Sequence, residues 1–192
     1  HHLDGLASYL CYFGYEVINT DFPGHKMGAS RGKLEHPSQL IEALQLARRC
    51  TDRDKIVLLG HSMGAAAAVR ASTEMEEAVG LVVLGMGADP TTRFKDKIVT
   101  STFEWGALYV DELDGEHFLS RIKEELLPYM KNVTVPSLVI GGTKDYIIPV
   151  QEVEKLAEIA QGPNKLKLLD CNHSELPEAG KKHIRQWLEQ TF

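Results

Sequence analysis

The chain has 192 residues, of which 43% are hydrophobic and 25% are charged, an ordinary composition for one globular domain with a sizeable core. Its formal net charge of -6 argues against nucleic acid or an acidic membrane surface as a partner, because it offers no basic field. The longest apolar runs are only as long as strands, so we expect no transmembrane helix, and we expect no signal peptide. Three cysteines without C-x-x-C spacing favour a reducing, cytoplasmic compartment. Composition gives no prediction of oligomeric state.

Hydrophobic periodicity predicts alternating helices and strands along the chain. The segments with a helical period or strong helix formers are 3–13, 37–50, the alanine-rich stretch after residue 64, 116–129, 150–160 and 178–190. The short apolar runs read as strands are 15–19, 56–59, 79–84, 138–140 and 166–169, and in the first of them we expect Val17 and Ile18 to be buried. Most of these strands are apolar throughout, which is typical of a parallel sheet covered on both faces. The sequence therefore predicts an α/β fold with a doubly wound, mostly parallel sheet.

One stretch breaks this alternation. Residues from about 88 to 132 are polar, acidic and aromatic, with no clear strand, and they are longer than an ordinary crossover connection. We interpret this stretch as a short helical cap inserted into a single domain that spans residues 1–192. Aromatic side chains on a cap can line a substrate pocket, and Phe103 and Trp105 are the pair we expect there. The alternative is that these aromatic residues form the cap's own small core.

The most informative motif is Gly60-His61-Ser62-Met63-Gly64, which follows an apolar strand and precedes the alanine-rich helix. A serine on a tight turn between a strand and a helix is typical of a nucleophile elbow. Small flanking residues accommodate the strained backbone, and the helix N-terminus offers unpaired N–H groups to an oxyanion. We therefore predict Ser62 as nucleophile and the Met63 N–H as an oxyanion donor. The alternative is an incidental serine in a plain strand-turn-helix.

A serine nucleophile needs a base, and the base needs a carboxylate that holds its tautomer. Ligand sites in such sheets lie at the carboxyl ends of the strands. Asp145 lies in a loop directly after the strand at 138–140, so it is the predicted acid. Asp89 follows the preceding strand and is the second candidate. Asp111 and Asp114 fall in the predicted cap and are weaker candidates.

His173 is the predicted base because it directly follows the last strand, and histidine has a pKa near working pH. His117 falls in the predicted cap. His183 lies on the final helix, where a packing role explains it better. Asp170, close to His173, receives no predicted role.

Together these segments resemble the α/β-hydrolase superfamily. Residues 14–25 resemble its strand and following loop, 60–64 match its nucleophile motif, 141–149 resemble its acid loop and 172–173 its histidine loop. The resemblance is greatest to small-cap bacterial carboxylesterases of the feruloyl-esterase kind, and less so to acyl thioesterases. It implies a serine hydrolase with Ser62, Asp145 and His173 as its triad.

The start of the chain departs from that family. In the family, a histidine-glycine loop supplies a second oxyanion donor. This sequence contains neither that loop nor the strands that precede the first helix in the family. One missing strand would lie between those predicted at 15–19 and 56–59, leaving unpaired backbone groups. We therefore expect an N-terminal segment to be missing from this sequence. The alternative is a rewired sheet in which these two strands pair directly.

The predicted activity is hydrolysis of a carboxylic ester or thioester of a small to medium acyl substrate, through an acyl-enzyme on Ser62. We expect no cofactor and no metal, because neither H-E-x-x-H nor a G-x-G-x-x-G turn is present. The expected partner is the small-molecule substrate, with neither nucleic acid nor membrane. Acyl transfer or amide cleavage on the same triad, a non-catalytic binding member of the fold and an unrelated flavodoxin-like protein remain alternatives.

Overall fold

The computed structural model describes residues 3–23, 34–93 and 115–192. Within these ranges the strands are β1 (Ile56–His61), β2 (Ala78–Leu84), β3 (Ser137–Gly142) and β4 (Asn164–Leu169). The α-helices are α1 (Asp4–Tyr12), α2 (Ser38–Arg48), α3 (Met63–Glu74), α4 (Gly115–Glu125), α5 (Val150–Ile159) and α6 (Leu176–Thr191). A 3₁₀ helix covers Leu127–Asn132. Each of these elements overlaps a segment predicted from periodicity.

The four described strands form one parallel sheet in the order β1-β2-β3-β4. The carboxyl ends of the strands are in register, since His61 pairs with Leu84, and Leu84 with Ile140. The central strands β2 and β3 are buried almost throughout, whereas most of β4 is exposed. This agrees with the apolar runs, because only central strands have a helix layer over both faces. The α/β fold with a parallel sheet is confirmed.

Alternating residues of β2 supply the two cores on either side of the sheet. Leu81 and Val83 belong to a core shared with α2, α3, α4 and α5. Val82 and Leu84 belong to a second core shared with α1 and α6. Because helices cover both faces, the sheet is doubly wound, as predicted.

The segment 15–19, predicted as a strand, has no regular secondary structure and pairs with no described strand. Ile18, expected to be buried, is 39% exposed. An extended backbone becomes a strand only through ladder hydrogen bonds, and among the described residues β1 pairs with β2 alone. The rewired sheet, in which β1 would pair with 15–19, is therefore wrong. A further strand between them stays a prediction.

The predicted cap is described only in part, because residues 94–114 lie outside the described ranges. Its C-terminal part forms α4 and the 3₁₀ helix, where Phe118, Ile122 and Met130 are buried in the same core as α3. Arg70 of α3 stacks on Tyr129, with its guanidinium carbon 4.8 Å from the ring centroid. These aromatic residues therefore pack into the main core, and the cap insertion itself stays a prediction.

Candidate active site

Ser62 occupies the turn between β1 and α3 with φ 54° and ψ -123°. It is the only non-glycine residue with positive φ in the described part of the chain. Such a backbone is strained for a residue with a side chain and persists only where the surroundings impose it. Gly60 is part of that constraint, since a Cβ there would lie 2.1 Å from the carbonyl oxygen of Gly64. The turn therefore has the geometry of a nucleophile elbow.

Backbone hydrogen bonds fix the turn to the sheet and to the helix. The Ser62 N–H donates to the Leu84 carbonyl at 2.8 Å, and the Ser62 carbonyl accepts from Ala65 N at 2.9 Å. Met63 is the first residue of α3, so its N–H is one of the first-turn donors without an acceptor inside the helix. This donor and the positive end of the helix dipole suit an oxyanion next to Ser62. The role of Met63 stays a prediction.

Asp145 lies three residues beyond β3, with its side chain fully buried. Its Oδ1 accepts hydrogen bonds from the N–H groups of Ile147 and Ile148, both at 2.9 Å. These two donors stabilise the ionised carboxylate and fix its rotation. The second oxygen, Oδ2, faces His173.

His173 lies 8% exposed in the loop between β4 and α6, with Nδ1 2.7 Å from Asp145 Oδ2. Because a carboxylate only accepts, Nδ1 carries the hydrogen of this bond. In the neutral imidazole, Nε2 is then the atom with a free lone pair, which is the tautomer a general base needs.

Residues at the ends of β1 and β2 connect the segments that carry Ser62 and His173. His61, one residue before Ser62, places Nε2 3.0 Å from the His173 carbonyl oxygen. Gly85 directly follows Leu84, the acceptor of the Ser62 N–H, and a Cβ at Gly85 would lie 3.1 Å from His173 Cε1. The structure thus gathers the three predicted triad residues at one edge of the sheet.

The loops that carry Asp145 and His173 are also connected to each other. Thr143 N donates to the Leu169 carbonyl at 2.7 Å and Lys144 N to the Cys171 carbonyl at 3.1 Å. Lys144 Nζ lies 3.0 Å from Asp170 Oδ2, and this hydrogen bond lowers the pKa of Asp170 and raises that of Lys144. Sequence reasoning gave Asp170 no role, although loops after adjacent parallel strands must run side by side.

A hydrogen-bonded turn just before α6 contains His173. Asn172 Oδ1 accepts from the N–H groups of Ser174 and Glu175, and Glu175 Oε2 accepts from Asn172 N. These reciprocal bonds close the turn of residues 172–175, directly before α6 begins at Leu176. The Asn-x-x-Glu spacing before the last helix was the sequence signal that could have revealed it.

The second acid candidate has other partners. Asp89 accepts from Thr91 N and Oγ1 through one oxygen, and its other oxygen lies 2.5 Å from Lys123 Nζ. Burial alone would raise the pKa of Asp89, but the hydrogen bonds from Lys123 and Thr91 outweigh it and hold that pKa below its ordinary value. Asp89 therefore closes an ion pair between the β2 loop and α4. Asp111 and Asp114 lie outside the described residues.

The remaining candidates are the two other histidines after Ser62 and the predicted pair of pocket residues. His117 is exposed on α4, and His183 is half-buried on α6. Phe103 and Trp105, the predicted pocket pair, lie outside the described residues.

Burial, followed by the nearby carboxylates of Glu175 and Asp145, raises the pKa of the Cys171 thiol, which keeps it protonated at neutral pH.

The described residues contain neither a cluster suited to a metal ion nor a helix suited to crossing a membrane. No group of three or more histidine, cysteine, aspartate or glutamate side chains there could hold a metal ion. None of the described helices combines the length and apolar character that crossing a membrane requires.

Comparisons with known proteins agree with this fold. The lipase-esterase related protein from Clostridium acetobutylicum has 18% identity and a TM-score of 0.72, with 100% of this chain and 88% of that chain covered. The monoacylglycerol lipase of Paleococcus ferrophilus has 17% identity and a TM-score of 0.73, with 98% and 89% covered. An esterase from Exiguobacterium antarcticum has 16% identity and a TM-score of 0.71, with 99% and 86% covered. At these identities the likeness shows a common fold.

No curated protein matches the chain. The model of the alpha/beta hydrolase family, however, matches residues 1–181, a range that includes the serine turn and both loops that carry Asp145 and His173. The chain therefore belongs to the alpha/beta hydrolase family.

Proposed function

We propose that this protein is a serine hydrolase that cleaves a carboxylic ester or thioester of a small to medium acyl substrate through an acyl-enzyme on Ser62. The observation that carries the proposal is the buried 2.7 Å hydrogen bond between His173 Nδ1 and Asp145 Oδ2, at the same edge of the sheet as a serine in a strained turn. A buried, oriented imidazole beside a serine at a helix N-terminus is the arrangement that makes a hydroxyl nucleophilic.

The reaction would proceed in two halves. Ser62 Oγ attacks the acyl carbonyl carbon while His173 Nε2 takes its proton, and the carboxylate of Asp145 stabilises the resulting imidazolium. The Met63 N–H donates to the oxyanion. When the tetrahedral intermediate collapses, His173 returns the proton to the leaving alcohol or thiol. Water, deprotonated by His173, then attacks the acyl-enzyme and releases the acid and free Ser62.

The names of several structural neighbours support an ester as the substrate. They include a monoacylglycerol lipase, esterases and an N-acyl homoserine lactone degrading enzyme. Monoacylglycerols and lactones are both carboxylic esters. The three free cysteines of the chain support a reducing, cytoplasmic location.

Labelling with a fluorophosphonate probe, followed by intact mass and peptide mapping, tests the proposal. We expect a single adduct on Ser62 that is lost in Ser62→Ala and in His173→Ala. The matched control is Ser38→Ala, since Ser38 opens α2 and its hydroxyl is bonded to His36. This control should label like the wild type.

Turnover of p-nitrophenyl esters and acyl thioesters of increasing chain length then identifies the substrate class. Release of free acid in water supports hydrolysis, whereas acyl products formed with added alcohol would indicate acyl transfer. A folded protein that neither labels at Ser62 nor turns over any ester or thioester would contradict the proposal and favour a binding role.

A further inference from the structure

We propose that His61 is a positioning residue that holds the loop of His173 in place relative to Ser62. His61 is the last residue of β1, directly before Ser62, and it has no part in the proton transfers described above. The inference rests on the proposed function, because positioning matters only if His173 serves as base for Ser62.

Two contacts join His61 to His173. His61 Nε2 lies 3.0 Å from the backbone carbonyl oxygen of His173. Since a carbonyl only accepts, His61 Nε2 is the donor. The two imidazole rings also pack together, with centroids 4.8 Å apart and planes inclined by 42°. His61 therefore contacts both the backbone and the ring of the base.

These contacts do what the other anchors of His173 cannot. Asp145 fixes the rotation of the His173 ring, and the bonds between Asn172 and Glu175 fix the turn, but both lie on the side of β3, β4 and α6. The bond from His61 ties the same loop to the strand that carries the nucleophile. Because His61 and Ser62 are consecutive, this bond controls the separation of nucleophile and base.

The side chain of histidine combines an N–H donor with a flat ring, and substitutions can remove one of these while keeping the other. Glutamine carries an Nε2 donor at the same number of bonds from Cβ, so it can keep the hydrogen bond to the carbonyl without the ring. Phenylalanine keeps a flat ring against His173 but has no donor. Asparagine has a donor but is one bond too short to reach the carbonyl.

The experiment compares His61→Gln, His61→Phe and His61→Asn with wild type, measuring kcat and KM on one p-nitrophenyl ester and thermal unfolding by circular dichroism. A misplacement of about 1 Å in a catalytic group costs roughly 100-fold in rate, so we expect His61→Phe and His61→Asn to lower kcat by about 10- to 100-fold. We expect KM to stay within about 2-fold, because positioning of the base does not contribute to ground-state binding. His61→Gln should retain kcat within about 3-fold.

Two results would overturn the inference: a kcat within about 2-fold of wild type in a folded His61→Phe or His61→Asn, or equal losses in His61→Gln and His61→Asn. Having two variants without the bond keeps the test decisive if one does not fold. Failure of the proposed function has a different signature, since Ser62→Ala would then turn over the ester as fast as wild type.

Discussion

His173 donates its Nδ1 hydrogen to Asp145 Oδ2 across 2.7 Å, while the other oxygen of Asp145 is occupied by the N–H groups of Ile147 and Ile148. The carboxylate therefore has one oxygen for its own loop and one for the histidine. Because both side chains are nearly excluded from solvent, this bond is protected from competition by water. Its chemical consequence is the choice of tautomer at His173, on which the proposed reaction depends.

Replacing Asp145 by Asn should change the tautomer of His173. The Asn carbonyl can still accept from Ile147 and Ile148, which leaves its NH₂ facing His173 and forces the imidazole hydrogen to Nε2. The base then has no lone pair for the serine proton. We expect kcat to fall by about 10⁴-fold, as for the same change in other triads. Steady-state kinetics on a p-nitrophenyl ester measures it.

Asp89→Asn is the matched control, because Asp89 also follows a strand of the sheet but is bonded to Thr91 and Lys123. It should retain kcat within about 3-fold of the wild type. If Asp89→Asn lost as much activity as Asp145→Asn, the assignment of the acid would be wrong.

The Asp89–Lys123 ion pair also predicts a pH dependence of stability. The pKa of Asp89 is lower in the folded protein than its ordinary value, so its ionised form stabilises the fold above the unfolded pKa of about 3.9. That stabilisation is lost as pH falls through the folded pKa. Asp89→Asn should lower the free energy of unfolding by about 0.5–1 kcal/mol at pH 7, since the pair is partly exposed.

Urea unfolding of wild type and Asp89→Asn at pH 7 and at about pH 3 checks this prediction, and the difference should shrink at the lower pH. A difference that stayed constant or grew would mean that the ionisation of Asp89 does not stabilise the fold.

The sequence predicted the strands that carry the site because their apolar runs are long enough to identify and end where Ser62, Asp145 and His173 follow. It was wrong about Ile18, since an apolar residue in an extended segment is buried only if a neighbouring strand pairs with that segment. The contacts of His61 and Asp170 could not be predicted. They join loops on different strands, and their geometry depends on register and loop conformation rather than on local pattern.

The two glycines of the serine motif should respond differently to substitution. A Cβ at Gly60 would lie within 2.4 Å of backbone atoms of Gly64 and Ala65, which cannot move without opening the turn. Among the described residues, a Cβ at Gly64 would meet only the side chain of Phe22, at an ordinary 3.5 Å. We expect Gly60→Ala to lower the free energy of unfolding by at least about 3 kcal/mol.

Gly64→Ala, inside α3, should be neutral or stabilising by up to about 1 kcal/mol, because alanine favours the helix. Chemical denaturation of both variants makes the comparison. Equal losses of stability would show that the turn is constrained by something other than the approach of Gly60 to the helix backbone.

Gly85 should control the position of the base. It adopts φ +58°, and a Cβ there would lie 2.8 Å from Leu176 Cδ1 and 3.1 Å from His173 Cε1. Alanine at this position therefore adds backbone strain and displaces the His173 ring. We expect Gly85→Ala to lower kcat by about 10- to 100-fold, the effect of a small displacement of a catalytic group.

Gly14→Ala is the control that separates the effect of backbone strain from the effect of displacing the His173 ring. Gly14 also has positive φ, +88°, but a Cβ there would have no heavy atom of the described residues within 4 Å. This variant should lose about 1–2 kcal/mol of stability from the left-handed backbone alone and keep wild-type kcat. Thermal unfolding and ester turnover measured on both variants distinguish the two effects. If Gly85→Ala lost stability as Gly14→Ala does but kept its kcat, the His173 ring would have to tolerate the added methyl group, and Gly85 would serve the backbone turn only.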